Sequence, residues 1–541
     1  MVGFQASSNS VSVTNKHAFK SLDTMPTAAK NRKRQKSGQA KEPIPEPSIP
    51  DEELRKVYAS NRNSRMIIFG ICLLFRIGIA SITQTYDNPD EYWQAQEVAH
   101  RLAFGYPFLT IEPNFVGLDN TGFFVTAPRY LESVLAAVAD YFTYRLAKKT
   151  VGETIAPTVL FCTLVSFFNF HMAARTLSNS LEMVLTVIAL NYWPIDGTVD
   201  YTSGTWIRDF RVSLAWAALA CIIRPTNALI WAFLGLHLMF KARSHISAII
   251  ANTAAIFLAA VALSTIVDTW CYDGHLGNLF SEPVFTPGKF FELNVVSAIS
   301  IFYGVHSWHW YLSQGIPVVL VCLLPTFLFG WYQIGKDQVL NDRVRSLKYV
   351  TTWTVAVYSL LSHKEFRFIY PIVPIMHIFA AYGLSQLPPR WRKWAVLTTM
   401  AVNISMGVYT TTTHQRGVID AVNYIRTEAQ ELNRLYTDYD MEVAFLMPCH
   451  STPWQSVIHD KNVDAWFLTC EPPLKTSSKN YLDEADKFYA NPSLFITERV
   501  LPTSKSSPDY VVVFDSLLEM PDQGGNGTVG NLLQNQGHYV E

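Results

Sequence analysis

The residues best suited to chemistry are two adjacent carboxylates, Asp90 and Glu91, within Gln84-Thr85-Tyr86-Asp87-Asn88-Pro89-Asp90-Glu91-Tyr92-Trp93-Gln94. The stretch follows an apolar span, and a helix-like pattern continues through His100. A carboxylate at the mouth of a membrane helix can take a proton from an attacking hydroxyl, where a lipid-linked donor meets a polar acceptor. The same residues also suit a structural role. Asp90 can cap the following helix, and Glu91 can sit in its first turn, where the helix dipole favours negative charge. The sequence leaves both readings open, and they are compatible.

A second group is Ser362-His363-Lys364-Glu365-Phe366-Arg367-Phe368, set between two apolar spans. Lys364 and Arg367 can hold a phosphate, with His363 as a third candidate and Glu365 orienting one of the cations. Cations opposite a carboxylate are what a reaction with a phosphate leaving group requires. The plain alternative is a juxtamembrane basic flank. A third cluster runs from Phe302 to Tyr311 and places His306 and His309 around Trp308. It reads either as an interfacial aromatic belt or as a sugar site, where rings stack on sugar faces and side chains bond hydroxyls.

The elements that must position these groups are membrane helices. The chain has 541 residues, 49% hydrophobic and only 16% charged, against about 25% charged in soluble domains. That composition predicts a polytopic α-helical membrane protein. A formal net charge of -1 argues against nucleic acid as a main partner. Residues 1–64 are polar, proline-rich and basic at Lys30–Lys36, and predict a disordered cytosolic tail held inside by its charge. A multi-span catalytic domain is expected over 65–411, with a lumenal loop at 84–127. The first span, about Met66 to Thr83, contains Arg76 in its middle, which predicts a polar interior facing that charge. Further apolar blocks bring the expected count to roughly ten spans. Arg175, Glu182 and Arg224 fall within or beside them. They predict helices facing one another or a cavity, with an interfacial helix end as the alternative, above all for Arg224 before Pro225.

Residues 412–541 read as a small soluble α/β-type domain, expected on the lumenal side. Gly417–Ile425 looks helical, and Met441–Met447 and Asp509–Asp515 look like buried strands. Cys449 and Cys470 lie here, and a lumenal placement would permit a disulfide. No cysteine pair has metal-ligand spacing, so no metal site is expected. Asn526-Gly527-Thr528 matches a glycosylation acceptor.

Pro89-Asp90-Glu91-Tyr92-Trp93-Gln94, followed by Glu97-Val98-Ala99-His100, resembles the first lumenal-loop motif of the glycosyltransferase family 22 mannosyltransferases. His363-Lys364-Glu365-Phe366-Arg367-Phe368 resembles that family's second signature, and Trp308-His309-Trp310-Tyr311 is similar to a third block. The resemblance covers about residues 66–520. It implies the GT-C architecture, an endoplasmic reticulum location and dolichyl-phosphate-mannose as donor, with no cofactor. The blocks Met447–Pro453, Cys470–Pro473 and Asp483–Tyr489 resemble the branch acting on the glycosylphosphatidylinositol (GPI) precursor. That branch adds the third mannose in α1,2 linkage, with inversion. Asp90 is the expected base, with Glu91 supporting or sharing the role. His363, Lys364, Glu365, Arg367, His306, Trp308 and His309 are the expected substrate contacts. The alternatives are an N-glycan-pathway mannosyltransferase, a lipid transporter or a non-catalytic subunit. One departure stands out: after Glu112 the family continues with a further segment and span, whereas here the chain is short from Pro113 to Ala127.

Overall fold

The computed structural model describes residues 51–104, 122–296, 301–302, 304–436, 439–470, 481–501, 507–523, 527–537 and 539. The basic run at 30–36, the departure after Glu112, and Asn526 of the glycosylation pattern lie outside them.

The helices, in chain order, are α1 (Asp51–Ile82), α2 (Glu97–Phe104), α3 (Gly122–Thr150), α4 (Ala156–Leu164), α5 (Phe167–Met172), α6 (Ser178–Tyr192), α7 (Thr205–Ile223) and α8 (Ala228–Lys241). They continue with α9 (Ile246–Asp273), α10 (Thr286–Phe291), α11 (Ile316–Leu320), α12 (Leu324–Ile334), α13 (Gln338–Leu360), α14 (Val373–Gln386), α15 (Pro389–Thr412) and α16 (Gly417–Leu435). The tail expected to run to residue 64 is corrected: α1 already begins at Asp51.

Each expected apolar block overlaps helix, although the one at 154–173 is divided between α4 and α5 and the one at 181–198 outruns α6. Among the described residues, four stretches are long and apolar enough to cross a membrane by length and composition: Asn63–Ile82, Arg243–Asp273, Tyr311–Ile334 and Phe366–Gln386. The others are shortened or charge-bearing, as α6 is with Glu182 at its core.

Charged side chains buried inside the bundle find partners. Arg76 is buried and donates from Nε and Nη2 to both oxygens of Asp140 on α3, at 2.7 and 2.9 Å. It also reaches the Thr163 and Asn169 carbonyls at 3.2 and 3.3 Å. The charge in the first span therefore faces a polar interior. Arg224 pairs with buried Glu182 at 3.1 Å, and Asn227 donates to the same carboxylate at 2.9 Å, so Arg224 is not a free helix end. Close packing elsewhere rests on small residues. A Cβ on Gly330 of α12 would lie 1.9 Å from the Phe379 carbonyl oxygen, and one on Gly383 of α14 would lie 2.0 Å from that of Thr326.

Beyond α16 the chain forms a three-stranded parallel sheet of β1 (Met441–Phe445), β2 (Val463–Phe467) and β3 (Tyr510–Val512), in the order β2-β1-β3. Two strands lie where the apolar runs place them. β2 is the addition: Val463-Asp464-Ala465-Trp466-Phe467 is too mixed to announce itself, and its parallel pairing to β1 organises it. The core beneath this sheet also takes in Tyr86 and Tyr92 from the loop after α1. The same loop is tied to the end of α15. Gln84 N–H donates to the Thr411 carbonyl at 2.7 Å, and the Thr85 hydroxyl donates to that of Thr410 at 2.7 Å.

Candidate active site

The loop between α1 and α2 turns at Asn88 and Pro89. The Asn88 side chain accepts the Asp90 N–H at 2.8 Å, and the Asn88 carbonyl accepts that of Glu91 at 3.1 Å. Asn88, not Asp90, therefore performs the helix-start function. The Asp90 carboxylate caps nothing. Its Oδ1 accepts from Gln94 Nε2 at 2.7 Å, and its Oδ2 meets Arg367 Nη2 at 2.5 Å, with 29% of the side chain exposed.

Arg367 joins the two sequence motifs. It opens the 3-10 turn Phe366–Ile372 that leads into α14. Its Nε and Nη2 grip Glu365 at 2.5 and 3.0 Å, and Nη1 reaches the Asn88 side chain at 3.2 Å across 279 residues of sequence. One guanidinium thus serves the carboxylates of both motifs. His363 completes the group, with Nε2 at 3.0 Å from Glu365 Oε1 and Nδ1 at 3.2 Å from the Gly304 carbonyl. Burial pushes the Glu365 carboxyl up, but the hydrogen bond and charge of Arg367, with those of His363, outweigh it. The carboxyl lies below its ordinary range.

Other expected members are placed elsewhere. Glu91 is fully buried and paired with Arg175 at 2.9 Å. The expectation that it shares the base role is corrected, since no acceptor hydroxyl reaches a sealed carboxylate. Lys364 is only 2% exposed, and its ammonium donates to the backbone carbonyls of His306, at 3.0 Å, and Leu361. Its expected role as a phosphate ligand is corrected to that of a strut between two loops. In the aromatic cluster, His306 stacks on Trp310 at 5.0 Å between ring centroids. His309 bonds Ser307 and Ser313 at 3.0 and 3.1 Å, and Trp308 is 68% exposed. Among the described residues, none of these three side chains hydrogen-bonds or ion-pairs with Asp90, Glu365 or Arg367. The cluster instead supports the site through its backbone, at the Gly304 and His306 carbonyls.

Other residues take their roles from tertiary contacts, and of these Asp87 carries no distinctive sequence signal. Asp87 accepts from His171 Nε2 at 2.7 Å. Burial raises its carboxyl, but the His171 bond and the Arg175, His171 and Arg367 charges carry it well below the usual range. Arg175 also donates to the Thr85 carbonyl at 3.1 Å and the Thr85 hydroxyl at 3.0 Å. In sequence it is only a charge near a span. Glu97 receives the Trp454 and Ser456 N–H groups at 2.8 and 3.0 Å, fastening the segment between β1 and β2 to α2. Trp93 packs on His450 with centroids 4.3 Å apart and donates to the Thr452 carbonyl at 2.9 Å. Cys449 and Cys470 form a disulfide with Cα atoms 5.7 Å apart, beside this contact.

The model of the Alg9-like mannosyltransferase family matches residues 67–116 and 114–459. The chain belongs to this family. The two matched segments meet just where the sequence departs from the family pattern. Relatives of similar length include GPI mannosyltransferase 3 of Yarrowia lipolytica, 35% identical over 86% of this chain and 91% of its own. Another is GPI alpha-1,2-mannosyltransferase 3 of Homo sapiens, 34% identical over 84% of this chain and 81% of its own. A third is mannosyltransferase APTG1 of Arabidopsis thaliana, 34% identical over 83% and 84%. Among solved structures, ArnT from Cupriavidus metallidurans bound to undecaprenyl phosphate superposes with a TM-score of 0.51, at 11% identity, over 79% of this chain and 88% of that one. The fold is thus the polytopic GT-C-like architecture that the sequence implied.

Proposed function

We propose that this chain transfers mannose from dolichyl-phosphate-mannose to the GPI precursor, adding its third mannose in α1,2 linkage at the lumenal face of the endoplasmic reticulum membrane. Membership of the mannosyltransferase family and the printed activities of relatives that match along most of their length support this reading. The observation that carries the mechanism is the separation of the acidic pair: Asp90 stays accessible on Arg367, while Glu91 is sealed against Arg175.

In this reading the acceptor hydroxyl attacks the anomeric carbon opposite the phosphate. The new C–O bond forms as the bond to phosphate breaks, which inverts the configuration. Asp90 takes the hydroxyl proton, and dolichyl phosphate departs with the electron pair. Arg367 and His363 meet the charge that develops on the phosphate, and Glu365 holds both in place. The donor carries no nucleotide, and the reading assigns no metal or cofactor to the site. An N-glycan-pathway activity is the second reading, and the names of the relatives favour the first. Depletion of the protein separates them. A GPI intermediate with two mannoses should accumulate; accumulation of a truncated dolichol-linked oligosaccharide instead would refute the proposal.

A further inference from the structure

Between the catalytic loop and the C-terminal sheet lies a cavity of about 740 Å³, within the about 300–1,000 Å³ typical of small-ligand sites. One wall is Tyr86, Asp87 and Pro89, ending one residue before Asp90; the other includes Ala421 of α16 and the loop at His450 and Ser451. Nothing in the mechanism above occupies this space.

Its polar edge is built, not incidental. Asp87 gives one carboxylate oxygen to His171, and the other has no hydrogen-bond partner among the described residues. His450 holds a left-handed backbone, φ +60°, an uncommon and costly state for a residue with a Cβ. Three contacts fix it there. The Tyr86 hydroxyl donates to the His450 carbonyl at 2.5 Å, Trp93 packs on its ring, and Cys449 beside it is disulfide-bonded. Local strain held by surrounding structure is a mark of functional placement. An ionised carboxylate, an imidazole and hydroxyls around a partly apolar wall match the chemistry of a saccharide, which offers hydroxyl donors and apolar ring faces.

We propose that this cavity is the subsite for the acceptor's glycan, with Asp87 and the His450 loop binding the sugars whose terminal hydroxyl is presented to Asp90. The proposal rests on the mannosyl-transfer reading above and adds to it that the C-terminal domain selects the acceptor. Lipid chains would then be excluded from this side, and the sugar chain would approach Asp90 from the sheet.

The test uses the full-length protein in microsomes, with a GPI precursor bearing two mannoses and dolichyl-phosphate-mannose varied separately. Ala421→Trp and Ser451→Trp fill the cavity from two different elements. Each should raise the KM for the glycolipid about tenfold or more, the loss of one good polar contact or its equivalent, with the donor KM unchanged. A measurement without variants accompanies them: α-mannobiose should slow amide exchange at 415–421 and 447–452 in the wild-type protein. Unchanged glycolipid KM and unchanged exchange, with wild-type transfer intact, overturn the subsite and leave the enzymatic reading standing. A rise in donor KM alone overturns it equally, by assigning the cavity to the donor. Absence of any wild-type transfer to the two-mannose precursor defeats the underlying reading, and the subsite with it.

Discussion

Asp90→Asn and Glu91→Gln should have opposite consequences, although the residues are neighbours. Asp90 is partly exposed, and its loss leaves Arg367 still bonded to Glu365 and Asn88. The helix start survives because Asn88 provides it. The stability change should therefore stay within about 1 kcal/mol, as for other solvent-accessible ion pairs. The rate should fall by about 10²–10⁴, the usual contribution of a general base. Glu91→Gln removes the negative charge from a fully buried pair. Arg175 keeps the Thr85 carbonyl and hydroxyl and the nearby Asp87 carboxylate but loses the one carboxylate paired directly with it. Breaking such a pair costs about 3–5 kcal/mol; the surviving hydrogen bonds place this case near the lower end. The assay is mannose transfer in microsomes, normalised to folded protein, alongside thermal unfolding of the purified protein in detergent. Asp90→Asn should be stable and inactive, and Glu91→Gln unstable but active per folded molecule. Wild-type transfer by Asp90→Asn, or a stable and inactive Glu91→Gln, would refute the assignment of roles.

Two further outcomes follow from the same contacts. Glu365 and Asp87 have folded carboxyls held below the ordinary range, so their stabilising contribution is complete above the unfolded value of about 4 and is lost as pH falls through the folded values. Thermal stability should decline on acidification below about pH 4, and Arg367→Gln, which removes the main cause lowering Glu365, should make that decline shallower by removing the Glu365 share of it; superimposable profiles would contradict the ion-pair account. Cys449→Ser opens a loop with a sequence separation of 21 residues and should cost about 3 kcal/mol of stability by the chain-entropy relation, read as a lowered unfolding midpoint that reducing agent reproduces in the wild type but not in the variant.

The sequence by itself determined which segments are helical, because apolar runs of membrane length have few alternatives. It also determined that Arg76 needs a buried partner, since charge within a span is costly. Two compact motifs identified the family, and their residue types fixed the class of chemistry. Tertiary structure decided which members of those motifs perform it. Successive positions on a helix differ by about 100° in direction, so Asp90 and Glu91 must face different surroundings. Which one is sealed depends on Arg175, 84 residues away, and which one stays accessible depends on Arg367, from the second motif far along the chain. Lys364 and Arg367 are equally cationic in sequence. The carbonyls of His306 and Leu361 bury one, while Asp90 and Glu365 hold the other at the site. Such choices rest on long-range pairing of charges, and no local pattern of residues encodes the partner.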